Sequence, residues 1–158
     1  MTNEENDEPT FNLNEAHVYF STELFSETWE YIQQADERSP EEDMTMLHMA
    51  IASLWHWMQR PDLQAENLSV GYWQVSRVYN LLKQPHNART YGLLSLKHGE
   101  GLDPFFKAYA YETLARAEMQ AGNRVVMNVY LEKSKELLPL IEEEEDRVLL
   151  LKYLSSIK

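Results

Sequence analysis

The chain has 158 residues, 44% of them apolar, which is the length and composition of one globular domain with a hydrophobic core. Its 26 acidic and 14 basic residues give a formal charge of -12, which repels nucleic acid backbones and anionic membranes. The absence of cysteine excludes disulfides, thiol nucleophiles and thiolate metal sites. Because the acidic N-terminal sequence is unlike a secretory signal, we expect a cytoplasmic protein.

The first part of the chain predicts a tail followed by a helical hairpin. Residues 1–12 are acidic and polar, so we expect a disordered tail there and a single α-helical domain over residues 13–158. Apolar residues recur at helical spacing from about Asn14 to Ala35. Ser39, Pro40 and Glu42 then supply an N-cap, a first-turn proline and a capping box, which predicts the start of a second helix.

Five further helices are predicted, separated by short turns. The third covers about 65–83, the fourth runs from the turn at 83–86 to about 98, the fifth from the loop 99–104 to 121, and the sixth from the turn 122–123 to about 138. The seventh follows the acidic run 142–146 and carries Val148, Leu151 and Leu154 on one face. Seven helices joined by short loops predict an all-α protein.

The sequence contains an internal repeat, since a shift of 39 residues superimposes one helix pair on the next. The shift places Ser95 on Ser134 and the turn 83–84 on the turn 122–123. The tetratricopeptide pattern is matched by Tyr72, Val75, Ser76, Tyr79 and Ala88 in the first copy and by Tyr111, Leu114, Ala115 and Pro139 in the second. Glu118 departs from the pattern, which has an aromatic residue at that position.

On these residues the chain resembles tetratricopeptide-repeat proteins. The segments HMAIASLWHW and YWQVSRVYNLL also resemble a group of bacterial tetratricopeptide-like proteins, and the likeness covers about residues 14–155. The resemblance implies a stack of three antiparallel helical hairpins, with the seventh helix as a C-terminal cap over the open apolar face of the last pair. It implies no catalytic residues, because that group has no established reaction.

The sequence offers no recognisable catalytic motif. No serine lies in a glycine-flanked elbow, and Gly99-Glu100-Gly101 is too short and too acidic to cradle a phosphate. The acidic run 142–146 has neither the glycine nor the alternating ligands of a cation-binding loop. We therefore expect a non-enzymatic protein without a cofactor.

A concave groove is the predicted functional surface. In a stack of helical hairpins the first helix of each pair lines the concave side, and residues outside the core pattern face the groove. We expect a non-catalytic module that binds a protein or peptide segment there, through Trp73, Arg77, Asn80, Tyr109, Glu112 and Arg116. Arg77 and Arg116 are equivalent by the repeat, and an arginine holds a carboxylate through two parallel hydrogen bonds. In the alternative interpretation, these two arginines pair with local acids such as Glu112 and fix adjacent helices.

A second hypothesis is a small helical metal- or ligand-binding protein. Its candidate ligands are His48 and His56, with His17 recruited from the first helix. His48 and His56 are eight residues apart, about 80° around a helix, unlike the pairs four residues apart in helical zinc sites. The alternative is a set of core tryptophans beside a hydrogen-bonded histidine. Self-association as a homodimer, through the outer face or the seventh helix, is a further prediction.

Overall fold

The computed structural model describes residues 11–158, apart from the side chain of Asp36. Its helices are α1 (Leu13–Gln33), α2 (Pro40–Met58), α3 (Ala65–Leu81), α4 (Pro85–His98), α5 (Pro104–Gln120), α6 (Arg124–Leu137) and α7 (Glu144–Ser155). Short 3-10 turns, Ala35–Glu37 and Leu138–Leu140, follow α1 and α6. Residues 11–158 contain no β-strand, which confirms the predicted all-α class. No helix within this range is both long and apolar enough to cross a bilayer.

Side-chain caps determine where several helices begin. Asn12 Oδ1 accepts hydrogen bonds from two backbone N–H groups in the first turn of α1, so this residue belongs to the folded domain. Of the rest of the predicted tail, Phe11 is exposed and residues 1–10 lie outside the described residues. Ser39 and Glu42 form the predicted capping box at the start of α2, each side chain bonded to the other's backbone N–H. Asp103 caps α5 in the same way as Asn12 caps α1.

The helices form three consecutive hairpins, α1/α2, α3/α4 and α5/α6, stacked in chain order. Helix α3 packs directly against α1 and α5. The second helices α2, α4 and α6 make at most marginal contact with one another. The stack therefore curves so that α1, α3 and α5 line its concave side, as the sequence predicted for the first helix of each pair.

The bounds of the helices confirm the 39-residue repeat. Helices α3 and α5 both have 17 residues, α4 and α6 both have 14, and each later helix begins 39 residues after its counterpart. Ser95 and Ser134 donate hydrogen bonds to carbonyls of the preceding helices at equivalent positions. The turn residues Lys83 and Gly122 both have positive φ, of 58° and 77°. The second and third hairpins are therefore two copies of one structural unit.

Helix α7 packs against α5 and the turn Leu138–Leu140, at the C-terminal end of the stack. Leu150 and Leu154 of α7, with Ile157 just after the helix, are buried in a core cluster that includes residues of α5 and α6. The predicted apolar face is only partly correct, because Val148 and Leu151 are 62% and 55% exposed. The leucines of α7 lie on several of its sides, so the sequence pattern alone did not identify the buried face.

Candidate functional site

The structure distributes the six predicted groove residues over three environments. Trp73 and Tyr109 line a cavity on the concave side of the stack. Arg77, Glu112 and Arg116 form an ion cluster beside α7. The remaining residue, Asn80, lies between α3 and α5.

The ion cluster is centred on Glu112, which has no exposed surface. Its Oε1 atom accepts hydrogen bonds from Arg116 Nε at 2.9 Å and Arg116 Nη2 at 2.7 Å. The same oxygen lies 3.6 Å from Nη1 of Arg77, on the neighbouring first helix. Both arginine side chains are largely buried, at 13% and 15% exposure. This is the arrangement of the alternative interpretation, in which the two arginines pair with Glu112 and fix adjacent helices.

Helix α7 covers this ion cluster. Arg116 Nη2 donates to the backbone oxygen of Tyr153 and to Ser156 Oγ, both at 2.9 Å. The Arg77 guanidinium lies 4.2 Å from the centre of the Tyr153 ring, in cation–π geometry. Glu112 is therefore inaccessible to a partner segment, and Arg77 and Arg116 expose only 13% and 15% of their side chains. Their role in partner binding therefore stays a prediction.

Asn80 joins two helices and has almost no surface in the groove, with 1% exposure. Its Nδ2 atom donates to the backbone oxygen and to Oγ1 of Thr113, at 3.1 and 2.9 Å. The Ser76 hydroxyl lies 2.8 Å from the same Thr113 Oγ1. These bonds pair buried polar groups between α3 and α5, whereas Asn80 Oδ1 has no hydrogen-bond partner among the described residues.

An aromatic cavity of about 250 Å³ opens on the concave side between α1, α3, α5 and α7. Six aromatic residues line it: Phe25, Trp29, Trp73, Phe105, Phe106 and Tyr109. The Trp73 ring lies 5.5 Å from both Trp29 and Tyr109, and the Phe105 ring lies 4.7 Å from Tyr109, between ring centres. An enclosed apolar cavity of about 150 Å³ holds benzene, so this half-open cavity has room for an aromatic or branched aliphatic side chain.

Few polar groups line the aromatic cavity. Trp73 Nε1 is buried and has no hydrogen-bond partner among the described residues. The Tyr109 hydroxyl donates to the backbone oxygen of Asp146 at 3.0 Å, and burial raises the pKa of Tyr109 well above its ordinary value. Burial, with smaller contributions from Glu143 and Glu145, also raises the pKa of Asp146, whose side chain lines the cavity. The cavity thus has aromatic walls, and Asp146 is the one acidic residue among those that line it.

Sequence reasoning identified two of the six aromatic residues, Trp73 and Tyr109. The missed residues are Phe25, Trp29, Phe105 and Phe106. A usable signal existed for two of them, because the 39-residue shift aligns Phe105 and Phe106 with the polar residues Glu66 and Asn67. Two aromatic residues at the start of a concave-side helix, where the first copy of the repeat is polar, indicate a local function for that surface.

The structure brings two of the three candidate histidines together. His17 Nδ1 and His56 Nδ1 are 2.8 Å apart, a hydrogen bond that requires one ring to accept and therefore to be neutral. Burial, together with the nearby His17, lowers the pKa of His56. His48 is exposed on α2. The described residues include no group of three or more possible metal ligands. The two Nδ1 atoms are also closer together than two nitrogens bound to one tetrahedral zinc ion, which would lie about 3.3 Å apart.

Comparisons of this chain with protein-family models, with curated proteins and with solved structures find no match. The resemblance to tetratricopeptide proteins therefore stays a prediction. The helical stack and its 39-residue repeat rest on the structure itself. Function has to be argued from the chemistry of the concave side, because a fold alone does not determine it.

Proposed function

We propose that this protein is a non-catalytic interaction module that binds a segment of a partner protein on the concave side of its helical stack. One apolar side chain of the partner enters the aromatic cavity between Trp29, Trp73 and Tyr109. The observation that carries the proposal is the size of this cavity, about 250 Å³, together with its six aromatic walls. Desolvated pockets that hold a large side chain dominate the energy of many protein interfaces.

The polar groups of the cavity favour binding over catalysis. Acid–base hydrolysis uses positioned proton donors and acceptors, whereas Asp146 is the one carboxyl among the residues that line the cavity. The hydroxyls of Ser69 and Ser95 each donate to the other's backbone oxygen, so neither is held by a base as a nucleophile.

The ion cluster has a supporting role in this proposal. Arg77 and Arg116 hold α7 against the first helices, and α7 supplies Leu149 and Asp146 to the wall of the cavity. The cytoplasm is the compartment proposed for the module, and a chain without cysteine is compatible with its reducing environment.

Selection from a random peptide library tests the proposal. Wild-type protein is compared with Val70→Trp, which fills the cavity that Val70 lines, and with Val125→Trp, which adds the same bulk at a position that is 80% exposed on α6. We expect selected peptides to share an aromatic or large aliphatic residue. They should bind wild type and Val125→Trp alike, and Val70→Trp at least about tenfold more weakly. Failure to select any peptide, or equal binding to all three proteins, would contradict the proposal.

A further inference from the structure

Two shallower depressions adjoin the aromatic cavity and extend it along the concave side. One shares Phe105 and Phe106 with the cavity and continues to Glu66, near the start of α3. The other shares the same two phenylalanines and Asp146, and continues to the acidic residues before α7. We name the cavity and the two depressions together the acidic groove.

Every charged side chain that lines the acidic groove is acidic. These residues are Glu66, Asp103, Glu142, Glu143 and Asp146. The neighbouring Arg147 is held at one edge of the acidic groove, where its Nη1 atom donates hydrogen bonds to the backbone oxygens of Ile141 and Glu142. Arg77 and Arg116 are both held by Glu112, and Arg60, which lies over the ring of the lining residue Trp57, is paired with Asp62. The negative field of the acidic groove therefore has the same sign as the formal charge of the whole chain, -12.

The aromatic walls add a second attraction for positive charge. The faces of tryptophan, tyrosine and phenylalanine rings attract ammonium and guanidinium groups, most strongly where water is excluded. Phe105 and Phe106 belong to all three parts of the acidic groove, so a cation in either depression stays close to a ring. An anionic segment would instead face carboxylates at both ends of the cavity.

We propose that the bound segment is basic, with lysine or arginine residues on both sides of the apolar side chain that enters the aromatic cavity. This inference rests on the proposed function and names the chemistry of the partner. Charge complementarity carries it, because acidic residues flank the cavity on two sides.

Three matched peptides test the inference by isothermal titration. They are end-blocked, nine residues long and identical except at four positions around a Leu-Phe-Leu centre. These four positions are all lysine in the first peptide, all serine in the second and all glutamate in the third. We expect the lysine peptide to bind most tightly and the glutamate peptide to bind at least about tenfold more weakly at low salt. The ratio should shrink in high salt, because ions screen exposed charges.

Two sets of variants locate the effect. The double variant Asp146→Asn, Glu143→Gln should reduce the advantage of the lysine peptide over the serine peptide several-fold, whereas Glu136→Gln, which removes an exposed charge on α6, should preserve it. Val70→Trp should abolish binding of the lysine and serine peptides alike. Binding of the lysine peptide to Val70→Trp with wild-type affinity would overturn the inference, because the attraction would then lie outside the cavity.

The outcomes separate this inference from the proposed function. Equal affinity for the three peptides, or tighter binding of the glutamate peptide, would overturn the inference and leave the proposed function standing. If none of the three peptides binds, both the proposed function and the inference are contradicted. Tight binding of the lysine peptide that depends on Asp146 and Glu143 would support both.

Discussion

Glu112 is a fully buried carboxylate between two arginines that come from different helices. The arginines in turn contact the C-terminal helix, through the Tyr153 ring and the Tyr153 backbone oxygen. One side chain thus connects α3, α5 and α7. Removing one member of a buried ion cluster is costly, because the remaining charges stay away from water without compensation.

The change Glu112→Gln tests this electrostatic role with little change in shape. We expect it to lower the free energy of unfolding by about 3–5 kcal/mol, since two largely buried guanidinium groups lose their counter-charge. The matched control is Glu132→Gln, which breaks an exposed ion pair with Lys135 and should cost less than about 1 kcal/mol. Urea unfolding followed by circular dichroism measures both. Equal, small losses would show that Glu112 does not stabilise the fold.

Helical spacing predicts which side of the stack a residue belongs to, but packing decides whether the residue is exposed there. Trp73 and Tyr109, the latter one turn before Glu112, are predicted to lie on the concave side, and both line its cavity. Asn80 was assigned to the same surface, yet it is buried between α3 and α5. The rotation of one helix against its neighbour decides which of two adjacent positions is exposed. That rotation depends on side chains from the other helix, which a single periodic pattern does not contain.

Helix α7 has two functions at the scale of secondary-structure elements. Its apolar side chains close the C-terminal end of the core, and its polar backbone and Tyr153 bind the arginines of the first helices. The start of the helix also supplies Asp146 to the aromatic cavity. Loss of α7 would therefore change both the stability of the stack and the shape of the proposed binding site.

Two adjacent leucines test the packing of α7. Leu150 has no exposed surface, whereas Leu151 is 55% exposed. We expect Leu150→Ala to lower the free energy of unfolding by about 2–5 kcal/mol, because it leaves a cavity in the core. Leu151→Ala should change it by no more than about 0.5 kcal/mol, as is usual for surface positions. Chemical denaturation of the two variants side by side measures the difference, and equal effects would show that α7 is not docked as described.

The elements themselves were predictable to within a few residues. The predicted start of α2 at Pro40 and the equivalence of the second and third hairpins both agree with the structure. Caps, prolines and turn residues are local signals, so they define helix ends without knowledge of the fold. The position of α7 across the ion cluster was not predictable. It depends on contacts between residues about 40 positions apart, such as Arg116 and Ser156.

Over the described residues 11–158, the molecule is a curved stack with a concave side and a C-terminal end capped by α7. In the first hairpin, α2 leaves an apolar stripe partly exposed, formed by Met44, Ile51, Trp55 and Met58. Self-association through this outer face stays a prediction. The concave side differs in character, because it combines an aromatic cavity with acidic side chains on two sides. That combination depends on the curvature of the stack, which brings residues of α1, α3, α5 and α7 together.

The most direct test of the central claim is to locate where an apolar side chain binds. The measurement is a titration of isotope-labelled protein with N-acetyl-phenylalanine amide, followed by nuclear magnetic resonance. The account predicts saturable shifts at Val70, Trp73 and Tyr109, including the indole N–H of Trp73, and their loss in Val70→Trp. No saturable shifts, shifts confined to the exposed stripe of α2, or shifts at Trp73 that persist in Val70→Trp would contradict the account.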